Sequence, residues 1–290
     1  MRSTRRTFLL ASGALVATAC GSSTKSVGTS AAGSTTLPVT VPPGFAVVQR
    51  FPNTRLFVPG TVRLAVSLAV DGALSATGPS SIKGAVLDND DQVLAEVTAD
   101  IRSTDIVIPY WSFEVDIPTA GFYTLRLEDD DGAGAAFQVF DAVDVVMPAI
   151  GTTLAPFDTP TVDDHRGVEP YCSLTPSPCP LHDITLTEAL ASGKPVAFMV
   201  GTPAHCQTGT CAPGLEFLVK AHARIGSAVV MVHADVYADD AATKLAPVVT
   251  AMQLDYEPVL YLCEPGGTIV WRLDGVWDQS ELDAALARIS

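Results

Sequence analysis

The feature that most limits how this chain can fold is Cys206-Gln-Thr-Gly-Thr-Cys211-Ala-Pro213, because of what flanks it. An apolar run, Val196-Ala-Phe-Met-Val200, precedes it, and a segment with Leu215, Leu218, Val219, His222 and Ile225 on one helical face follows. The run predicts a buried strand and the periodic face a helix, so both thiols sit at a strand-to-helix corner. A helix start presents unpaired amides and a partial positive charge. Both stabilise a thiolate, the reactive species of disulfide exchange.

Beyond this corner the patterns keep alternating. Ala228-Val-Val-Met-Val-His-Ala234 predicts a buried central strand, with Met231 and His233 as core residues, and Asp239 to Met252 a helix kinked at Pro247. Val259 to Leu262 and Thr268 to Leu273 flank Pro265-Gly-Gly267, a hairpin signal. Asp278-Gln-Ser-Glu281 is a capping-box pattern opening a last helix, with Leu282, Ala285, Leu286 and Ile289 on one face. The predicted order is β-α-β-α-β-β-α.

That order, with a cysteine pair after the first strand and Pro258 opening the third, resembles the thioredoxin fold over residues 181–290. The resemblance implies a cis peptide at Pro258 beside the redox cysteines. Proline lacks an N–H and leaves the neighbouring backbone open to a substrate strand, so Pro258 is a candidate substrate-side residue. Cys211-Ala-Pro-Gly214 looks like the family's Cys-Gly-Pro-Cys with Gly214 at the second cysteine. Either Cys206 has taken over as partner of Cys211, or Cys206 attacks and Cys211 resolves. Ala197 stands where many thioredoxins bury an acid. That leaves His205, adjacent to Cys206, as the candidate proton carrier, the other reading being a solvent-exposed loop histidine.

The first residues set the compartment. Thr4-Arg-Arg-Thr-Phe-Leu9 matches the twin-arginine export pattern, and the apolar stretch from Phe8 to Ala19 is too short to span a bilayer. Residues 1–19 therefore read as a signal peptide. Ala17-Thr-Ala-Cys20 resembles a lipoprotein processing box, making Cys20 the lipidated N-terminus ahead of a Ser/Thr/Gly-rich spacer, residues 20–40; ordinary cleavage near Ala19 is the alternative. The expected location is extracytoplasmic, lipid-anchored to the bacterial cell membrane. With 17 basic against 32 acidic side chains and a formal charge of −15, the chain is a poor partner for nucleic acid or anionic lipid surfaces.

Residues 41–147 contain no cysteine and read as short strands separated by turn signals at Pro59-Gly60, Asp71-Gly72, Asn89-Asp90, Pro118-Thr-Ala-Gly121 and Asp131-Gly132. Ala120-Gly-Phe-Tyr-Thr-Leu-Arg-Leu127 looks like the strand entry of immunoglobulin-like domains, with Tyr123 at the corner position. The expected fold class is thus an α/β thioredoxin-like C-terminal domain preceded by an all-β immunoglobulin-like sandwich. Acidic runs at Asp88–Asp91 and Glu128–Asp131 lack the ligand spacing of a calcium loop and read as hairpin tips.

Residues 148–180 read as an interdomain connection containing Cys172 and Cys179. Outside the cytosol such a close pair predicts a structural disulfide. Two alternatives are an auxiliary redox pair exchanging with Cys206 or Cys211, and a zinc site completed by His182. Thr185-x-x-Glu188 is a capping box for a short helix before the first central strand, and Cys263 closes a strand as a buried inert thiol.

Three function classes follow. The leading one is a thiol-disulfide oxidoreductase using Cys206 and Cys211, with exported protein thiols or disulfides as partners and no cofactor or metal. The second is a non-catalytic binding module in which that pair is a permanent disulfide. The third is a Cu(I) delivery protein using the same two thiols. Oligomeric state is not legible.

Overall fold

Strand β2 (Gly60–Val70) shows how the N-terminal half is organised. Side chains alternate between the faces of a strand, yet β2 is buried on both. Val62, Leu64, Val66 and Leu68 face one apolar core, while Arg63, Ala65 and Ser67 are buried on the other side. The computed structural model describes residues 44–130 and 132–289. The twin-arginine pattern, Cys20 and Asp131 lie outside them. No helix among the described residues is long and apolar enough to cross a membrane.

Around β2 run β1 (Ala46–Gln49), β3 (Ala73–Leu74), β4 (Ser81–Leu87), β5 (Val93–Arg102), β6 (Tyr110–Ile117), β7 (Gly121–Leu127) and β8 (Ala135–Val139). All pair antiparallel in one eight-stranded sheet, in the order β1-β2-β6-β5-β4-β7-β8 with β3 added on β2. This corrects the expected two-sheet sandwich. The physical cause is β5: residues 93–100 pair with β4, while Ile101 and Arg102 pair with Trp111 and Tyr110 of β6. One long strand thereby carries the hydrogen bonding around the bend that would otherwise separate two sheets. A parallel bridge between Phe57 and Val139 brings the sheet close to a closed barrel around Leu64, Trp111, Phe113, Ile117 and Leu125. The Tyr123 hydroxyl donates to the Thr119 carbonyl at 2.9 Å.

The second half contains α1 (Leu186–Ala191), β9 (Val196–Val200), α2 (Cys211–Ile225), β10 (Val230–Ala234), α3 (Pro247–Ala251), β11 (Val259–Cys263), β12 (Ile269–Asp274) and α4 (Gln279–Leu286). Its four-stranded sheet has the order β10-β9-β11-β12, with β10 parallel to β9 and the other pairs antiparallel. All five residues of β9 are buried. Val196, Phe198 and Val200 pack into one apolar cluster and Ala197 and Met199 into another, as a strand covered on both faces requires. Thr185 and Glu188 form both hydrogen bonds of the capping box on α1.

Among the described residues strand outweighs helix, 33 % against 16 %, and the thioredoxin-like α/β fold class implied by the resemblance is overturned. Part of the shortfall in helix is local. The helix expected over 239–252 forms only as α3, because Pro247 has no N–H and clashes inside a helix but fits its first turn. Upstream, the Asp239 carboxylate accepts from the backbone N–H groups of Thr243 and Lys244 and holds a turn there.

Gly214 on α2 has a packing reason to lack a side chain. A Cβ there would lie 2.8 Å from the Trp277 ring, whose indole N–H donates to the Gly214 carbonyl. A cysteine at that position would have to displace the tryptophan. Gly214→Ala is expected to destabilise the chain by about 1–3 kcal/mol through overpacking, measurable by urea denaturation. An unchanged midpoint would show that Trp277 yields freely.

A buried ion pair joins the two sheets. Arg63 forks onto the Glu281 carboxylate at 2.8 and 2.7 Å and donates to the carbonyls of Asp274 and Val276. Tyr110 donates its hydroxyl to the same carboxylate and accepts from the Asp278 N–H. Burial opposes both charges, but the partners prevail: Arg63 is held above its ordinary pKa and Glu281 below.

Candidate functional site

The chain leaves β9 at Val200, passes through Gly201 and a loop, and enters α2 at Cys211. Gly201 is where Pro258 approaches: a Cβ on it would stand 3.1 Å from the proline Cβ and 3.6 Å from that of Cys211. The Glu257–Pro258 peptide is cis. The structure thus brings Cys206, Cys211 and Pro258 together.

Cys206 and Cys211 are joined as a disulfide with a Cα–Cα distance of 5.9 Å. Their environments differ. Cys211 is fully buried in the first turn of α2, whereas Cys206 is only half-buried in the loop. The Cys211 backbone N–H points at the Cys206 sulfur at 3.3 Å, and the Thr208 hydroxyl lies 3.2 Å from it. The first backbone N–H of α2 therefore serves the more accessible of the two sulfurs, that of Cys206.

Beside Cys211 stands a carboxyl the sequence reading did not single out. Glu257 Oε2 lies 3.5 Å from Cys211 Sγ and accepts the Thr202 N–H at 2.5 Å. Burial raises the Glu257 pKa above the ordinary carboxylate range, against the lowering effect of the Thr202 hydrogen bond. The signal for it was its position immediately before Pro258. His205 instead meets the Tyr237 ring edge-on, with centroids 6.0 Å apart. Glu257 is thus a titratable group in contact with the Cys211 sulfur, and His205 lies close enough to its carboxylate to act on it electrostatically. A cavity of about 380 Å³ opens beside the Cys206 loop, lined by Gln207, Thr208, Tyr237, Leu245, Tyr256 and Glu257.

Cys172 and Cys179 are also brought together, but as buried free thiols and not as the expected disulfide. Their neighbours are His182 and His233, both buried, and the four ligand atoms lie within 4.8 Å of one another. Hydrogen bonding from Cys179 pulls the Cys172 thiol well below its ordinary pKa against burial, with His182 and His233 adding to the effect. Cys179 is displaced upward by its hydrogen bond to Cys172 and by burial. His233, read from sequence as a core residue of β10, is raised: burial works against its charge, but Cys172 and Asp235 outweigh it. Cys263, the third free thiol among the described residues, is buried in β11, and burial alone pushes it up to about 12, which leaves it unreactive near neutral pH.

Comparison with protein-family models and with curated proteins finds no match to this chain.

Proposed function

We propose that this protein exchanges thiols and disulfides with exported proteins through Cys206 and Cys211, from an extracytoplasmic, lipid-anchored position. The observation that carries the reading is the asymmetry of the pair: a half-buried sulfur that accepts a helix-start N–H, and a buried sulfur with a carboxyl 3.5 Å away, which makes Cys206 the attacking thiol and Cys211 the resolving one. In the reducing direction, the Cys206 thiolate attacks one sulfur of a client disulfide, forming a mixed disulfide and releasing the other client sulfur as a thiolate. Glu257 accepts the Cys211 proton. The Cys211 thiolate then attacks Cys206, releasing the second client thiolate and leaving the 206–211 disulfide, a balanced two-electron transfer. The oxidising direction is the reverse. The cavity beside the loop, lined by Val236, Leu245 and Val249 and reaching Thr208 and Glu257, gives an extended client segment an apolar seat.

The test is the reduction potential of the 206–211 pair, measured against glutathione in the full chain. A potential above about −300 mV, where structural disulfides resist reduction, together with loss of exchange in Cys206→Ala, supports the assignment. A pair that resists reduction under native conditions would favour the binding-module reading. Tight Cu(I) binding by the reduced pair, abolished by replacing either cysteine, would favour copper delivery.

A further inference from the structure

We propose that Cys172, Cys179, His182 and His233 form a closed, four-coordinate zinc site beneath the loop that carries Cys206. The argument begins with the distances. Zinc bonds to sulfur at about 2.3 Å and to imidazole nitrogen at about 2.0–2.1 Å, so a tetrahedral site has S–N edges of about 3.6 Å and an N–N edge of about 3.3 Å. Here Cys172 Sγ and Cys179 Sγ lie 3.8 and 3.6 Å from His233 Nδ1, and His182 Nε2 lies 3.2 Å from the same nitrogen. These separations are those of atoms sharing a small cation, arranged on side chains that a loop and the edge strand β10 bring in from far apart in sequence.

The protonation of the two imidazoles points the same way. His182 Nδ1 lies 3.1 Å from the Pro160 carbonyl and His233 Nε2 lies 2.8 Å from the Gly201 carbonyl. A carbonyl only accepts, so both outer nitrogens carry the proton, and in the neutral rings both inner nitrogens turn a lone pair into the cluster. Two lone pairs 3.2 Å apart repel unless a cation or an extra proton lies between them. Outer-ring donation to a carbonyl is also the support that metal-bound histidines use to fix tautomer and orientation. A further layer is present: Asp235 Oδ1 lies 3.4 Å from His233 Nε2, Asp235 Oδ2 accepts the Ser173 N–H at 2.8 Å, and the Cys179 N–H donates to Cys172 Sγ at 3.3 Å.

The donor set selects the metal. Two thiolates and two imidazoles in a closed, buried tetrahedron suit zinc, with no position left for water or substrate. The site is structural: it ties the loop of residues 171–182 to β10, and through the Gly201 carbonyl it braces the turn on which Cys211 and Pro258 pack. Zinc binding here does not require that Cys206 and Cys211 exchange. Without metal the same four groups would have to share protons as a buried thiolate–imidazolium network, at the desolvation cost such pairs carry.

The experiment uses the full chain expressed with zinc and desalted under reducing conditions. One zinc per chain is expected, with Cys172 and Cys179 protected from alkylation until a chelator strips the metal. Cys172→Ser and His233→Asn should each weaken zinc retention at least tenfold, while the Cys206→Ser, Cys211→Ser double variant keeps the full equivalent. Because the first two variants could unfold, cobalt is loaded into the unsubstituted chain as a second measurement. Strong visible absorption of a tetrahedral centre with a thiolate-to-cobalt charge-transfer band supports the site. The inference is overturned if the reduced chain retains no zinc, if retention survives Cys172→Ser, if the cobalt form lacks the thiolate band, or if nonreducing peptide mapping finds Cys172 bonded to Cys179.

Discussion

Glu281→Ala is expected to lower the stability of this chain by about 3–5 kcal/mol, the cost of leaving one member of a buried ion pair without its partner. Arg63 is 6 % exposed, and its guanidinium would lose both carboxylate oxygens while staying enclosed between the two sheets. Tyr110 would lose its acceptor at the same time. At about 2–4 °C per kcal/mol for a chain of this size, the thermal midpoint should fall by roughly 10 °C. The double variant Arg63→Met, Glu281→Leu should recover much of the loss, because apolar groups of similar volume need no partner. A drop below about 1 kcal/mol in the single variant would mean that water reaches Arg63, as at exposed pairs. The pH dependence has a definite sign. Glu281 has a lowered pKa in the folded chain, so its contribution is complete above the ordinary carboxylate range and is lost as pH falls through the folded value. Glu281→Gln should flatten that acid limb.

Glu257→Gln is expected to slow thiol-disulfide exchange by about 10²-fold, within the usual contribution of a positioned general acid-base group. The amide still accepts from the Thr202 N–H but cannot take the Cys211 proton. The unsubstituted chain should gain rate as pH rises through the raised Glu257 pKa, since only the ionised carboxylate accepts a proton, and the variant should lack that rise. Stability should move in the opposite sense. A carboxyl with a raised folded pKa stabilises the fold below the ordinary carboxylate range, and that contribution is lost as pH rises through the folded value. Glu257→Gln should therefore gain stability relative to the unsubstituted chain at neutral pH and gain none in acid. Unchanged exchange kinetics with the stability shift present would reduce Glu257 to a buried packing group.

What the sequence determined by itself was whatever depends on near neighbours along the chain. The apolar run at 196–200 is β9, the periodic face after Cys211 is α2, Thr185 and Glu188 close their capping box, and Pro265-Gly-Gly267 turns β11 into β12 with Gly266 and Gly267 at positive φ. Each is decided within a few residues by alternation, capping or backbone freedom. The tertiary structure decided the rest, because the deciding partners are remote in sequence. Asp278 accepts the Glu281 N–H as its pattern predicts, but the Glu281 side chain turns to Arg63, a charged partner no local pattern contains. Strand lengths and turns predict a sandwich, yet β5 pairs with both β4 and β6 and makes one sheet, since pairing is settled by which edges meet. His233 looked like any histidine in an apolar strand until Cys172, Cys179 and His182 closed around it. Glu257 gained its place by the same route: local sequence put it next to Pro258, and only packing across Gly201 set it beside the Cys211 sulfur.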